Sequence, residues 1–189
     1  MEIRGATSRH EARQIALQVL YAVELTGDDP SSLFATMVKG GDNRHSAFAQ
    51  RLVSLSCRHK EKMDEMISGK SHRWDIGRMA LLDHLILRLA LCELFYVEDV
   101  PPKVTINEAI EIAKMFSTDQ SGRFINGLLD ALFEENEQAI HKVKKAASRE
   151  DNPDSASKPA AKKTGGKTGS SGTKKTSKRP DPPEGSEEN

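Results

Sequence analysis

The segment from Leu81 to Tyr96 limits the fold more than any other part of this sequence. A helix drawn through it is apolar on nearly every side, and such a helix has to be enclosed by other elements or by lipid. Its longest apolar stretch is broken by Arg88 and Glu93 and is too short to cross a bilayer. We therefore expect a central helix that is surrounded by other helices, as in a bundle.

The first helix of the chain has clear start and stop signals. Ser8 followed by Glu11 has the spacing of a capping box, in which a hydroxyl and a carboxylate satisfy free amides at a helix start. Gly27 is the residue type that commonly follows a helix C-terminus. Between these ends, apolar residues recur at spacings of three and four and form one stripe. They are Ala12, Ile15, Ala16, Val19, Leu20 and Val23.

Four further segments have helical spacing. A short helix is expected to begin at Asp29-Pro30, and a longer one to run from about Ser46 to Ile67. Two more follow the break at Pro101-Pro102; their apolar faces are Ile106, Ala109, Ile110 and Ala113, and then Phe124, Ile125, Leu128, Leu129, Leu132 and Phe133. No segment alternates convincingly between apolar and polar residues. The sequence predicts an all-α fold, a compact bundle of about seven helices.

The charge of the chain is divided between its two parts. The 28 basic and 28 acidic side chains cancel overall, but residues 1–140 carry a net charge of −5 and residues 141–189 a net charge of +5. Because the second part consists largely of Lys, Gly, Ser, Thr and Pro, it cannot bury enough apolar surface to offset the entropy of ordering. We expect one helical domain over residues 1–140 and a disordered tail over residues 141–189.

The middle of that tail, from Lys158 to Arg179, holds eight basic residues and no acidic one. Such a segment attracts phosphate without reading a nucleotide sequence. A solubilising appendage is an equally good interpretation. If the tail does attract RNA, its removal weakens RNA binding at low salt.

The sequence lacks the motifs of common enzymes and metal sites: no GxSxG, GxGxxG, P-loop or HExxH pattern occurs. Cys57 and Cys92 stand apart inside apolar helical patterns, which favours a reducing cytoplasm over a disulfide framework or zinc site. We interpret Glu108 and Glu111, one turn apart, as a solvated helix face and His59 as a packed or half-buried side chain. The start of the chain has no apolar run typical of a signal peptide. We expect a cytoplasmic protein that is not an enzyme and binds no cofactor, metal or membrane.

Two basic sites are candidates for contact with phosphate. Arg9, His10 and Arg13 lie in the first turns of the first helix, where Arg9 and Arg13 project from one face and the helix dipole favours anions. Arg123-Phe124 opens the last helix and places a cation beside a ring on which a base of single-stranded RNA could stack. From the pattern alone, Phe124 fits the core as well, because it begins a stripe with Leu128.

Four segments resemble, in order, motifs of the bacterial transcription antitermination factor NusB family, and together they span about Arg9 to Phe133. The most specific are INEAIE at residues 106–111 and FINGLLD at residues 124–130. The other two are RHEARQIALQVLY at residues 9–21 and DHLILRLA at residues 83–90.

The resemblance implies an all-helical fold of two packed halves and an adapter without catalytic activity. It implies binding to the single-stranded boxA element of nascent ribosomal RNA transcripts. It also implies a heterodimer with NusE, the small-subunit ribosomal protein that doubles as a transcription factor. That pair joins other Nus factors on RNA polymerase and suppresses premature termination.

The resemblance also implies roles for individual residues. Those expected to contact RNA are Arg9, His10, Arg13, Arg123 and Phe124. Those expected to face NusE are Tyr21, Leu25 and Asp83, for which a core-edge Tyr or Leu and a helix-start Asp are the structural alternatives.

The sequence departs from the family pattern at two positions. His10 and Glu11 interrupt an arginine cluster that is denser in some members, and Gln120 stands where some members have an acidic residue near the RNA.

Two other function classes stay open. The chain could be a helical protein–protein adapter or a homodimer without direct RNA binding. The same module also occurs as the N-terminal domain of ribosomal RNA cytosine methyltransferases, but a low-complexity tail stands here in place of an α/β domain.

Overall fold

The computed structural model describes residues 2–40, 43–70 and 76–150. Within these ranges lie seven α-helices: α1 (Arg9–Thr26), α2 (Pro30–Met37), α3 (Arg44–Arg58), α4 (Lys60–Ser68), α5 (Leu81–Tyr96), α6 (Pro102–Phe116) and α7 (Asp119–Glu150). A 3-10 turn (Ile76–Arg78) precedes α5, and two short strands, β1 (Ile3–Arg4) and β2 (Val38–Lys39), pair in parallel. The prediction of an all-α bundle of about seven helices is confirmed.

Helix α5 is the centre of the bundle, as its apolar periphery predicts. Every residue from Leu85 to Phe95 is buried, and α5 packs against α1, α3, α4, α6 and α7. Helices α1, α2 and α3 pack together as one half, and α5, α6 and α7 as the other. The two halves meet where α1 and α3 contact α5.

The start of α1 follows the predicted capping signals with one change. The Ser8 hydroxyl accepts a hydrogen bond from the Glu11 amide at 3.1 Å, and Gly27 ends the helix in the left-handed conformation with φ 73°. The Glu11 carboxylate, however, accepts from the amide and hydroxyl of Thr7, each at 2.7 Å. The carboxylate thus fixes the residue before the cap, and with it the path from β1 into α1.

The single helix expected from Ser46 to Ile67 is wrong: the chain forms two helices that meet at His59. The backbone of His59 leaves the helical region at φ −108° and ψ 18°. The His59 ring stacks on Tyr96 of α5 with ring centroids 4.0 Å apart. The side chain is half-buried, as expected. Helical periodicity continues through the junction, so sequence spacing cannot reveal it.

Helix α7 continues through residue 140, where we expect the helical domain to end. Ile140 is buried and Val143 packs against the core, so apolar contacts support these turns. Residues 151–189, including the segment from Lys158 to Arg179, lie outside the described residues. In the described part of the chain, no helix has both the length and the apolar character that crossing a membrane requires.

A buried cation connects three of the helices. Arg88 of α5, with a side chain only 4% exposed, donates to both carboxylate oxygens of Asp64 in α4 at 2.8 Å. It also donates to Glu24 of α1 at 3.3 Å. Burial alone would lower the pKa of Arg88, but the hydrogen bonds and charges of Asp64 and Glu24 raise it, so Arg88 stays charged.

We expect Arg88→Ala to lower the free energy of unfolding by about 3 kcal/mol, because the partly buried Asp64 carboxylate loses its two-pronged bond and Glu24 keeps only its pair with Lys60. Lys114→Ala is the matched control, since it removes an exposed pair with Glu111 and should change the free energy by less than about 0.5 kcal/mol. Denaturant unfolding of both full-length variants measures the difference. Equal effects of the two substitutions would contradict a structural role for Arg88.

Candidate functional site

Arg13 is buried beneath the first turns of α1. Its side chain is 4% exposed, and it makes a two-pronged pair with Glu93 of α5, Nε to Oε2 at 2.8 Å and Nη2 to Oε1 at 2.5 Å. A third bond runs from Nη1 to Glu108 of α6 at 3.1 Å. Burial alone would lower the pKa of Arg13, but hydrogen bonds and charge from Glu93 raise it. Arg13 therefore holds α1 against α5 and α6.

His10 belongs to the same group of side chains. Its Nδ1 lies 2.9 Å from Glu108 Oε2, and its Nε2 lies 2.8 Å from the amide nitrogen of Gln14. Because an amide nitrogen only donates, a ring with its proton on Nδ1 can donate to Glu108 and accept from Gln14 at the same time. The His10 side chain is 37% exposed, so its orientation is fixed while one edge still meets solvent.

Glu108 is not part of a solvated face, and that interpretation is wrong. Its side chain is 25% exposed and pairs with both His10 and Arg13. Glu111, one turn later, is 60% exposed and pairs with Lys114, so the interpretation holds for this residue.

Arg9 is the exposed member of the N-terminal basic group. Arg9 and Arg13 lie on one face of α1, as their spacing predicts. Their guanidinium groups lie over the same Phe48 ring, 4.7 Å and 5.5 Å from its centroid. The Arg9 side chain is 42% exposed and pairs with Asp99. The hydrogen bond from Arg9 lowers the pKa of Asp99 although partial burial opposes this. Of the two arginines, Arg9 is the one that an external phosphate can reach.

The second basic site lies at the start of α7. Arg123 is exposed, and the Phe124 ring is half-buried and packs against the edge of the core. The next residues of the stripe, Ile125 and Leu128, are fully buried. Phe124 is thus neither fully enclosed nor fully exposed, which lies between the two alternatives that the pattern leaves open.

Helix α6 lies between the two basic sites. On one flank, the Gln14 amide of α1 approaches Met115 Sδ at 3.2 Å. On the other flank, Gly122 of α7 lies so close to α6 that a Cβ added there would be 3.3 Å from Lys114 Cγ. Lys114 and Met115 are exposed on the surface between these flanks. We call the surface formed by Arg9, His10, the exposed side of α6, Arg123 and Phe124 the α6 surface.

Asp83 fixes the first turn of α7 to the first turn of α5. It is 7% exposed, and its Oδ2 accepts from the Ser121 hydroxyl at 2.9 Å. Ser121 also lies within hydrogen-bond distance of the Ser117 and Thr118 hydroxyls, and Thr118 caps α7 by accepting from the Ser121 amide at 3.0 Å. Asp83 Oδ1 is buried and has no hydrogen-bond donor among the described residues. Sequence reasoning missed these three hydroxyls, although Thr118 followed three residues later by Ser121 has the spacing of a helix start.

Tyr21 and Leu25 line an apolar groove along the C-terminal part of α1. The groove has a volume of about 590 Å³, and these two side chains are 38% and 63% exposed. Leu82 and Phe116, the chain neighbours of Asp83 and Ser117, form part of its wall. The full lining is Leu17, Gln18, Tyr21, Ala22, Leu25, Thr26, Met37, Leu82 and Phe116. An exposed apolar groove of this kind is typical of a protein-binding surface.

The described residues hold no group of three His, Cys, Asp or Glu side chains that could ligate a metal. The pKa of Cys92 is raised to about 12, mainly by burial. Burial also raises the pKa of Cys57. Both thiols are free, and both stay protonated near neutral pH.

The NusB family model matches residues 10–134 of this chain. The transcription antitermination protein NusB of Pelotomaculum thermopropionicum is 41% identical over 143 residues, which cover 75% of this chain and 99% of that protein. The NusB protein of Syntrophus aciditrophicus is 43% identical over 129 residues, 66% of this chain and 79% of that protein.

Solved structures give the same result for the fold. T. maritima NusB superimposes with a TM-score of 0.63 at 31% identity, over 71% of this chain and 94% of that one. A chain from the crystal structure of antitermination factors NusB and NusE in complex with dsRNA superimposes with a TM-score of 0.61 at 28% identity, over 67% and 96%. Sequence and helical arrangement agree, and this chain belongs to the NusB family of transcription antitermination proteins.

Proposed function

We propose that this protein is an antitermination factor that binds the single-stranded boxA element of nascent ribosomal RNA transcripts together with NusE. The pair acts with other Nus factors on RNA polymerase in the cytoplasm and suppresses premature termination, and the protein itself catalyses no reaction. The observation that carries the proposal is the α6 surface, which has an exposed cation at each end and a half-buried ring at one of them. Support for NusE and RNA as partners comes from the crystal structure of NusB and NusE in complex with dsRNA, which contains a chain similar to this one.

The contacts to RNA divide between the two ends of the α6 surface. Arg9 and Arg123 are exposed and bind phosphates, while the half-buried ring of Phe124 stacks on a base. His10 adds a partly exposed ring whose orientation Glu108 and Gln14 fix. Arg13, whose guanidinium is occupied by Glu93 and Glu108, positions Arg9 and His10 by holding α1 in place.

NusE binds in the apolar groove along the C-terminal part of α1, where Tyr21 and Leu25 supply the exposed apolar contacts. Asp83 has an indirect role. Its buried carboxylate fixes the start of α7 close to Phe116, and Phe116 is part of the groove wall. The folded unit that carries both surfaces comprises residues 1–140 together with the further turns of α7.

The same groove also suits a second copy of this chain, which would make the protein a homodimer or a protein–protein adapter without direct RNA binding. Titration of a labelled boxA RNA, with and without NusE, separates the two functions. Binding to boxA in preference to an unrelated single strand supports the antitermination factor. Absence of binding to either RNA, together with self-association through the groove, supports the adapter.

We expect Phe124→Ala to weaken boxA binding by about 1–3 kcal/mol, because base–ring stacking is lost. Phe133→Ala is the matched control: it removes a half-buried ring from the same helix, away from Arg123. Both variants should lose some stability, but only Phe124→Ala should lose affinity among molecules that remain folded. RNA titration well below the unfolding midpoint tests this. Equal affinity of the two variants would identify Phe124 as a core residue.

Arg9→Ala should change RNA binding but not stability, and Arg13→Ala should mainly change stability. Removal of Arg9 should reduce the slope of log affinity against log salt by about 0.7 for one lost phosphate contact, with little change in stability since its pair with Asp99 is exposed. Removal of Arg13 should cost about 3–5 kcal/mol of stability, because Glu93 is left buried and unpaired. Salt titrations and denaturant unfolding measure the two quantities. A reduced salt slope with full stability for Arg13→Ala would refute its positioning role.

Leu25→Asp should abolish NusE binding, because it places a carboxylate in an apolar groove. BoxA binding by the protein alone should be unchanged. Val104→Asp is the control, since Val104 is also an exposed apolar residue, 42% exposed, but does not line the groove. Calorimetric titration with purified NusE provides the measurement. Unchanged NusE affinity for Leu25→Asp would place the partner on another surface.

A further inference from the structure

Helix α3 presents a row of arginines on one exposed side. Arg44, Arg51 and Arg58 follow one another at spacings of seven residues, and the helix contains no Asp or Glu. Because seven residues make almost two full turns, the three side chains lie on one side of α3, over about 21 Å of its length. All three are exposed. This spacing is local, whereas the fold determines which groups lie beside the row.

Arg51 and Lys62 meet at Tyr96, the last residue of α5. Arg51 donates to the carbonyl oxygen of Tyr96 at 3.1 Å. Lys62 of α4 has its Nζ 3.4 Å from the Tyr96 hydroxyl and 5.8 Å from the centroid of the ring. The ring stacks on His59, and burial lowers the pKa of His59 while the charges of Arg58 and Lys62 lower it further. Arg51, Arg58 and Lys62 therefore form one cluster around these two rings.

Arg9 connects this cluster to the α6 surface. Its guanidinium lies over the ring of Phe48, which precedes Arg51 by three residues on α3. Arg9 pairs with Asp99, and Arg51 binds the backbone of Tyr96, three residues before Asp99. The hydrogen bond from Arg9 lowers the pKa of Asp99, and the charge of Arg51 lowers it as well. The two arginines thus reach the same short stretch of chain.

Carboxylates occur on the elements that neighbour this cluster but not on α3 itself. Two of them are engaged, Asp99 in its pair with Arg9 and Asp29 as the cap of α2. Glu61 is exposed on α4, and Glu98 is exposed on the loop after α5. The positive charge of the cluster is therefore concentrated along α3, although residues 1–140 carry a net charge of −5.

We propose that Arg51, Arg58 and Lys62 form a second RNA-binding surface, which holds the phosphate backbone of single-stranded RNA on one side of boxA. We call it the α3 surface. It rests on the proposed function, because the strand reaches it from Arg9, at one end of the α6 surface. From Arg9 the strand runs toward Lys62, where three cations lie together, and not toward Arg44, the arginine of α3 outside the cluster.

The side chains of the α3 surface suit phosphates rather than bases. The Tyr96 ring at its centre already stacks on His59. Guanidinium and ammonium groups bind phosphates without reading a nucleotide sequence. Gln50 and Ser54, which line a groove of about 420 Å³ beside Arg51, add neutral donors for phosphate oxygens. The α3 surface should therefore add affinity for any flanking sequence.

The test compares a short boxA RNA with the same RNA extended by oligouridine at either end. We expect the extension at one end to raise the affinity of the full-length protein and to steepen its salt dependence. Arg58→Gln/Lys62→Gln should lose most of that gain, with a slope of log affinity against log salt lower by about 1.4 for two lost phosphate contacts. The short RNA should bind this variant as it binds the wild type.

Lys39→Gln/Arg44→Gln is the matched control, because it also removes one lysine and one arginine of α3, both exposed, but leaves the cluster intact. It should keep the full gain from the extension. The α3 surface is refuted if neither extension brings a gain, or if the two double variants behave alike. Binding of an oligoglutamate peptide that depends on Arg58 and Lys62, without any gain from RNA extension, would assign the surface to an acidic protein segment instead.

The two proposals fail differently. If the wild type does not prefer short boxA RNA over an unrelated short RNA, the proposed function is wrong, while a gain from extension that depends on Arg58 and Lys62 still establishes the α3 surface. If short boxA RNA binds tightly and extension has no effect, the proposed function stands and the α3 surface is excluded.

Discussion

Two charged side chains in the middle of the central helix, Arg88 and Glu93, are buried away from water, and the other helices supply their counter-charges. Arg88 and Glu93 of α5 are 3% and 1% exposed. Removing an ion from water costs several kcal/mol unless a counter-charge and hydrogen bonds accompany it. Arg88 receives carboxylates from α1 and α4, and Glu93 receives Arg13 of α1 and the Thr105 hydroxyl of α6. A purely apolar bundle could pack in several helix registers, whereas the buried charges find their partners in one register only.

The need to pair the buried Glu93 gives the two arginines of the N-terminal basic group different roles. Arg9 and Arg13 occupy one face of α1 and lie over the same ring, so sequence spacing treats them as equivalent. Glu93 makes them different, because it draws Arg13 into the interior and leaves Arg9 at the surface. The density of arginines in this segment is therefore a poor measure of RNA affinity, since one of them serves the fold.

Sequence reasoning succeeded where the information is local. The cap at Ser8, the end at Gly27 and the burial of α5 follow from residue type and helical period. It failed at His59, where a ring stack with Tyr96 ends a helix whose period continues, and at Glu108, whose partners lie more than 90 residues away. Periodicity identifies the side of a helix that is buried, but not the helix that covers it. Asp83 shows the same limit, since its bond to Ser121 depends on how α7 meets α5.

The distribution of charge gives the two parts of the chain different tasks on our proposal. Residues 1–140 carry a net −5 and repel a polyanion at long range, so RNA reaches the α6 surface only where local contacts outweigh that field. Carboxylates stand beside the cations of that surface, with Asp99 at Arg9 and Glu111 at Lys114. A phosphate must compete with these carboxylates for the cations. An RNA strand that cannot also place a base on Phe124 therefore binds more weakly. The net +5 of residues 141–189 offsets the repulsion without reading bases, so attraction and selection act through different parts of one molecule.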